Sequence, residues 1–168
     1  DIDHNVIYPI DLNPRFQNST HLLTGIELLE EKTPLIIYYI AFQLGLLSEE
    51  DIQDEIRVDQ KREVTQMILH NLTDTAQVTG NVKPGIYKTS MKSLVNYREG
   101  ISLLDCVNND EFLITCAVPR TGTLVKPSAP LLKIIIPQRV CDVNGGRILP
   151  WASNICTVVY DALELDLV

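Results

Sequence analysis

The sequence predicts an α+β fold: an N-terminal helical segment packed on a mainly antiparallel β-sheet formed by the C-terminal half. Three observations carry this. Apolar residues recur at helical spacing between residues 20 and 75. From residue 78 onward short β-branched runs alternate with turn residues, and six of the nine prolines fall there. Of the 168 residues, 45% are hydrophobic and 21% charged, which supplies a core and argues against disorder. No linker, internal repeat or low-complexity stretch divides the chain, so 1–168 reads as one domain. It starts at Asp1 and not Met, as a processed product or a portion of something longer would.

Residues 1–18 read as an extended arm, punctuated by Pro9 and Pro14. Leu22, Leu23, Ile26 and Leu29 predict a helix over 20–31, with Gly25 weakening it. Thr33-Pro34 reads as an N-cap and a first-turn proline. The helix it opens, over 35–46, is apolar round most of its girth, which predicts a place at the centre of the core. The apolar run 34–47 is 14 residues long, short of the roughly 20 that cross a bilayer. Ser48 followed by three acids predicts another capped helix start, and Ile52 and Ile56 lie one turn apart. Val64, Met67, Ile68 and Leu72 predict a further amphipathic helical stretch.

The strand expectations are 86–87, 101–104, 112–118, 131–136, 147–149 and 155–167. Residues 91–104 also suit a helix. Asn108-Asn109 and Asn144-Gly145-Gly146 are the expected tight turns. With Asn108-Asn109 as a hairpin turn, Cys106 faces Glu111 and Cys116 faces Ile101. That separation exceeds the ~7 Å between Cα atoms that a disulfide allows. The four cysteines, Cys106, Cys116, Cys141 and Cys156, contain no C-x-x-C pair, so the sequence offers no zinc signature and favours reduced, buried thiols. A reducing compartment or a virion suits them. Two sequons, at Asn18 and Asn71, carry little weight without a secretory signal.

Charge is unevenly distributed. Residues 1–75 carry 14 acids and 5 bases, residues 76–154 carry 5 acids and 9 bases, and residues 155–168 carry three acids and no base. An acidic helical part joined to a mildly basic β part is expected.

No motif specifies chemistry. Gly80 to Gly85 is followed by Ile86 and Tyr87, where a phosphate loop needs Lys and Ser or Thr, and Pro84 removes an amide such a loop would use. His4, His21 and His70 sit in no local nucleophile signature, which leaves only a spatial dyad such as Cys106 with His70. Asp51, Glu55, Asp59 and Glu63 fall on one face of a continuous helix, but without paired E-x-x-H segments they read as a solvated face. Residues 41–52 echo a helix-turn-helix, whose second helix carries acids that nucleic-acid phosphates would repel. Lys83, Lys88, Lys92 and Arg98, with Tyr87 and Tyr97 among them, form a thin basic cluster; aromatics interleaved with bases can stack on single strands, but four spread charges read as an ordinary surface, so nucleic acid is not the expected partner. No catalytic residue, cofactor or metal is expected.

The C-terminal run is the most suggestive feature. Ile155, Thr157, Val159, Leu163, Leu165 and Leu167 alternate, as one face of a long strand would. Such a strand belongs to the domain's own sheet, or its end pairs with a neighbouring subunit. The expected function is therefore a non-enzymatic structural or assembly protein of an oligomer, such as a virion or phage-tail component, whose partners are its own copies or neighbouring chains. A small enzyme with a site assembled only in three dimensions, and a nucleic-acid-associated accessory protein, are the alternatives.

Overall fold

The computed structural model describes residues 20–48, 50–51, 62–90, 92–142 and 146–168. The expected arm 1–18, most of the helix opened by Ser48, and two of the three residues of the expected turn at Asn144 lie outside the described residues. Two of the most continuously apolar segments, Phe112–Thr115 and Pro130–Ile136, form adjacent inner strands of a five-stranded antiparallel sheet. In chain order the strands are β1 (Thr65–His70), β2 (Ala76–Val78), β3 (Gly85–Thr89), β4 (Leu94–Arg98), β5 (Phe112–Thr115), β6 (Leu124–Val125), β7 (Pro130–Ile136) and β8 (Leu165–Leu167). The helices are α1 (Thr20–Leu29), α2 (Leu35–Gln43) and α3 (Pro150–Leu163). The large sheet runs β1-β7-β5-β3-β4, and a second, three-stranded sheet runs β6-β2-β8. This is the expected α+β class, with strands concentrated in the C-terminal half.

Period-two alternation sends side chains to both faces of the large sheet. Tyr87, Phe112, Ile114, Ile134 and Ile136 join the core with Ile155, Val159 and Leu163 of α3. Ile86, Leu113 and Ile135 point the other way and pack with Ile26 of α1 and Leu103. The sheet is thus covered by helices on both faces, so its inner strands read as unbroken apolar runs.

Several expectations are corrected. Residues 64–72 hold a strand, β1, not a helix: Thr65 to Leu69 pair with β7, and Met67 and Leu69 turn to the α3 side. Residues 101–104 hold no strand. Leu103–Asp105 is a 3-10 turn capped reciprocally by Ser102 and Asp105. Strand β5 stops at Thr115, because Cys116 and Ala117 take φ of 57° and 47°, which breaks the ladder. The 147–149 strand reduces to one bridge, Cys141 to Ile148. The Glu111 amide donates to the Asn108 carbonyl at 3.1 Å, so a turn forms there. It leads into β5, whose partners are β3 and β7, so the Cys106–Glu111 hairpin register does not exist.

The run 155–167 is not one strand. Residues to Leu163 are helix α3, opened by Pro150 at its first turn, and Glu164 in the left-handed region (φ 47°) releases the chain into β8. Helix α2 forms where expected, but its N-cap position is Pro34 and not Thr33, and none of its residues is buried.

Candidate interaction surface

Helix α2 carries the largest departure from ordinary burial. Leu35, Ile37, Tyr39, Ile40 and Phe42, with Leu44 and Leu46 just beyond its end, are 37–71% exposed. The helix has no acidic or basic residue in its terminal turns. It is anchored at its start, where the Leu35 amide donates to the Glu27 carboxylate at 3.1 Å. At its end Gly45 takes a φ of 69°, and Ser48 then caps the next helix by exchanging hydrogen bonds with Asp51. Scattered exposed apolar residues need no explanation, whereas a contiguous group of this size marks a contact surface.

The structure separates the six C-terminal residues that alternation had grouped. Ile155, Val159 and Leu163, one helical turn apart, are buried inside the protein's own core. Thr157 faces solvent, its hydroxyl donating to the Ser153 carbonyl at 3.2 Å. Only Leu165 and Leu167 lie on a strand, and β8 is the edge of the small sheet. The Val168 amide donates to Thr75, and the Thr79 amide to Glu164. The backbone groups of residues 164 and 168 therefore face β2, and those of Leu165 and Leu167 face the open side. Among the described residues no strand pairs with that side.

The basic cluster also divides. Lys88 pairs with Asp110 at 2.8 Å, and Arg98 with Glu111 at 2.8 Å. Lys83 and Lys92 instead converge with Tyr87 and Tyr97 on a concavity of about 490 Å³ beside α3. Tyr87 and Tyr97 lie with ring centroids 5.3 Å apart.

The chain matches no protein-family model, no curated protein and no solved structure.

Of the chemical constellations weighed from sequence, the Cys106–His70 dyad can be placed, while His4, Glu55 and Asp59 lie outside the described residues. Cys106 packs with the α1-side core, and burial pushes its thiol up to about 11, which suppresses the nucleophilic thiolate. His70 lies at the end of edge strand β1, opposite Pro130, where its carbonyl accepts from Tyr160 of α3 and its Nδ1 meets the Ser128 carbonyl. The Cys106–His70 dyad is therefore not formed. Among the described residues no group of three or more His, Cys, Asp or Glu side chains is placed to hold a metal ion. No helix among them is long and apolar enough to cross a membrane. The four cysteines are free thiols; where buried ones were expected, Cys116 is exposed and Cys106, Cys141 and Cys156 are half-buried. Asn71, one of the two sequon asparagines, is buried: its Nδ2 donates to the carbonyls of Asp74, Val125 and Lys126, and its Oδ1 accepts from Thr73.

Sequence reasoning missed α2 as a surface because a helix apolar all round reads as buried.

Proposed function

We propose that the protein is a non-enzymatic structural subunit that assembles with copies of itself, α2 of one copy packing against α2 of the next. The observation that carries this is the exposure of Ile37 and Ile40 of α2 and of Leu44 just past its end. Ile37, Ile40 and Leu44, at i, i+3 and i+7, share one face and are 44–67% exposed, so burying that face contributes about 1 kcal/mol per residue, roughly 3 kcal/mol per helix. Association costs about 4–15 kcal/mol, so one helix meeting a polar surface would be marginal. A two-fold contact buries both helices and doubles the gain, which favours a second copy as the occupant.

Strand β8 supports growth beyond a pair. Its open edge, three residues long and too short to hold a pair by itself, is a second site on which a neighbour's β8 adds antiparallel once α2 has brought copies together. Two different two-fold contacts on one chain build closed dihedral assemblies or open filaments, as a multi-subunit particle requires. The chain is acidic overall, with a formal net charge of −8, so copies repel and screening should strengthen a two-fold contact. Head-to-tail docking of the acidic helical part on the basic β part would weaken with salt instead.

The test is native mass against concentration and salt, for the wild type and for Ile37→Glu with Ile40→Glu. The wild type should associate more strongly as salt rises, and the double variant should remain a folded monomer. Association that survives the double variant, or a wild type that is monomeric at every concentration, overturns the reading.

A further inference from the structure

The concavity beside α3 holds a ligand-binding arrangement separate from α2 and β8. Its wall is the loop 81–84, which the fold holds from both sides. At one end Gly80 lies so close to α3 that an added Cβ would stand 2.0 Å from the Ala162 carbonyl oxygen. There its amide donates to the Leu163 carbonyl at 2.9 Å. At the other end Gly85, with φ of 152°, makes room for the Tyr97 ring, which an added Cβ would meet at 2.6 Å. The Tyr87 hydroxyl donates to the Lys83 carbonyl at 2.9 Å, and that of Tyr97 to the Pro84 carbonyl at 3.4 Å. The opposite wall is the β3–β4 hairpin turn, closed by the Ser90 amide on the Ser93 carbonyl at 3.0 Å, with Lys92 inside it.

Two features of this cleft do not follow from folding needs. Lys83 and Lys92 line the same space, and among the described residues neither has an ion-pair partner, although Lys88 and Arg98 nearby are both paired. The Tyr97 ring is 45% exposed, although its Tyr87 neighbour is buried. Lys83, Lys92 and the partly exposed Tyr97 line one cleft, with Asp161 on the α3 wall as an acceptor. The volume lies within the range of about 300–1,000 Å³ of small-ligand sites.

We propose that this cleft binds a phosphorylated aromatic group. Lys83 and Lys92 meet the phosphate, Tyr97 stacks on the ring, and Asp161 accepts from a ring N–H or hydroxyl of the ligand. A nucleoside monophosphate and a phosphotyrosyl side chain share this chemistry. The inference goes beyond the assembly reading and does not depend on it.

The test is calorimetric titration of the full chain with adenosine monophosphate, O-phosphotyrosine, adenosine, tyrosine and inorganic phosphate. The expected result is saturable binding of one or both phosphorylated aromatics, the tighter one naming the source. Removing either the phosphate or the ring should weaken binding at least ten-fold. Lys83→Ala and Lys92→Ala, both surface changes, should each weaken it at least five-fold, and Tyr97→Leu should reduce the preference over inorganic phosphate. Three results overturn the proposal: no saturation by either phosphorylated aromatic at millimolar concentration, equal binding of inorganic phosphate, or lysine variants that bind as the wild type does.

Discussion

Replacing Glu111 with Gln should cost the protein stability in a pH-dependent way. Its side chain is 8% exposed, and its carboxylate accepts from Arg98 at 2.8 Å, the Val107 amide at 2.7 Å, the Asn108 amide at 3.1 Å and the Asn108 side chain at 3.2 Å. Arg98 also donates to the Asp105 carbonyl, so this one carboxylate ties the end of β4 to the turn entering β5. Burial pushes the carboxyl up, but Arg98 and the Asn108 and Val107 donors outweigh it and bring it from 4.5 down to about 2. A folded value below the unfolded one means the contribution is full above pH 4.5 and lost as pH falls toward 2. That shift corresponds to about 3 kcal/mol at most, and the 39% exposure of the Arg98 side chain brings the expectation to about 2 kcal/mol. Urea unfolding of wild type and Glu111→Gln, near neutrality and again below pH 3, measures it. The gap should be about 2 kcal/mol near neutrality and should shrink at least by half in acid, with unchanged m-values. An equal gap at both pH values would refute the electrostatic reasoning and leave only the loss of hydrogen-bond geometry.

Leu163→Asp should unfold the protein, at a cost above about 4 kcal/mol, because it puts an unpaired charge in the core. Leu167→Asp, 68% exposed on β8, should change thermal stability by less than about 0.5 kcal/mol. Melting curves of the two variants check this contrast. Asn71→Asp should destabilise at least as much as Asn71→Ala, about 2–3 kcal/mol, because a carboxylate would face three carbonyl oxygens; a well-tolerated Asp variant in the same assay would contradict the bonding pattern. Alkylation near pH 8, followed by peptide mass mapping, should label exposed Cys116 well before Cys106, whose thiol is pushed up to about 11.

Much of this architecture could be read from local pattern. Strands β3, β5 and β7 announced themselves as short β-branched runs, and α1 by its helical spacing. The error at residues 155–167 has a specific cause. Ile155, Val159 and Leu163 are four apart, a spacing that satisfies a period of two and nearly satisfies 3.6, so both patterns fit. Pro150 was the arbiter, since a proline suits a helical first turn and a run that long exceeds an ordinary strand. The short pairs β2–β6 and β2–β8 could not be read, because two or three residues carry no period and their pairing is decided by distant partners. The exposure of α2 was illegible for a different reason. Hydropathy records what a residue prefers, and here the preference is unmet within the described residues. The cleft lysines were visible as residues, but only the fold separates the paired Lys88 and Arg98 from Lys83 and Lys92.

The pairing of β1 with β7 places Thr65 opposite Ile136, and that of β2 with β8 places Ala76 opposite Leu167. Both ladders join segments made far apart in time on the ribosome. Until β7 emerges, β1 and β5 lack their common neighbour, and β2, although β6 follows sooner, waits longer still for β8. Such distant closures slow folding, because loop entropy must be overcome before the contacts that reward it form. Nascent chains should therefore spend a long interval with these strand edges unguarded, which makes synthesis rate and chaperone supply decisive for yield.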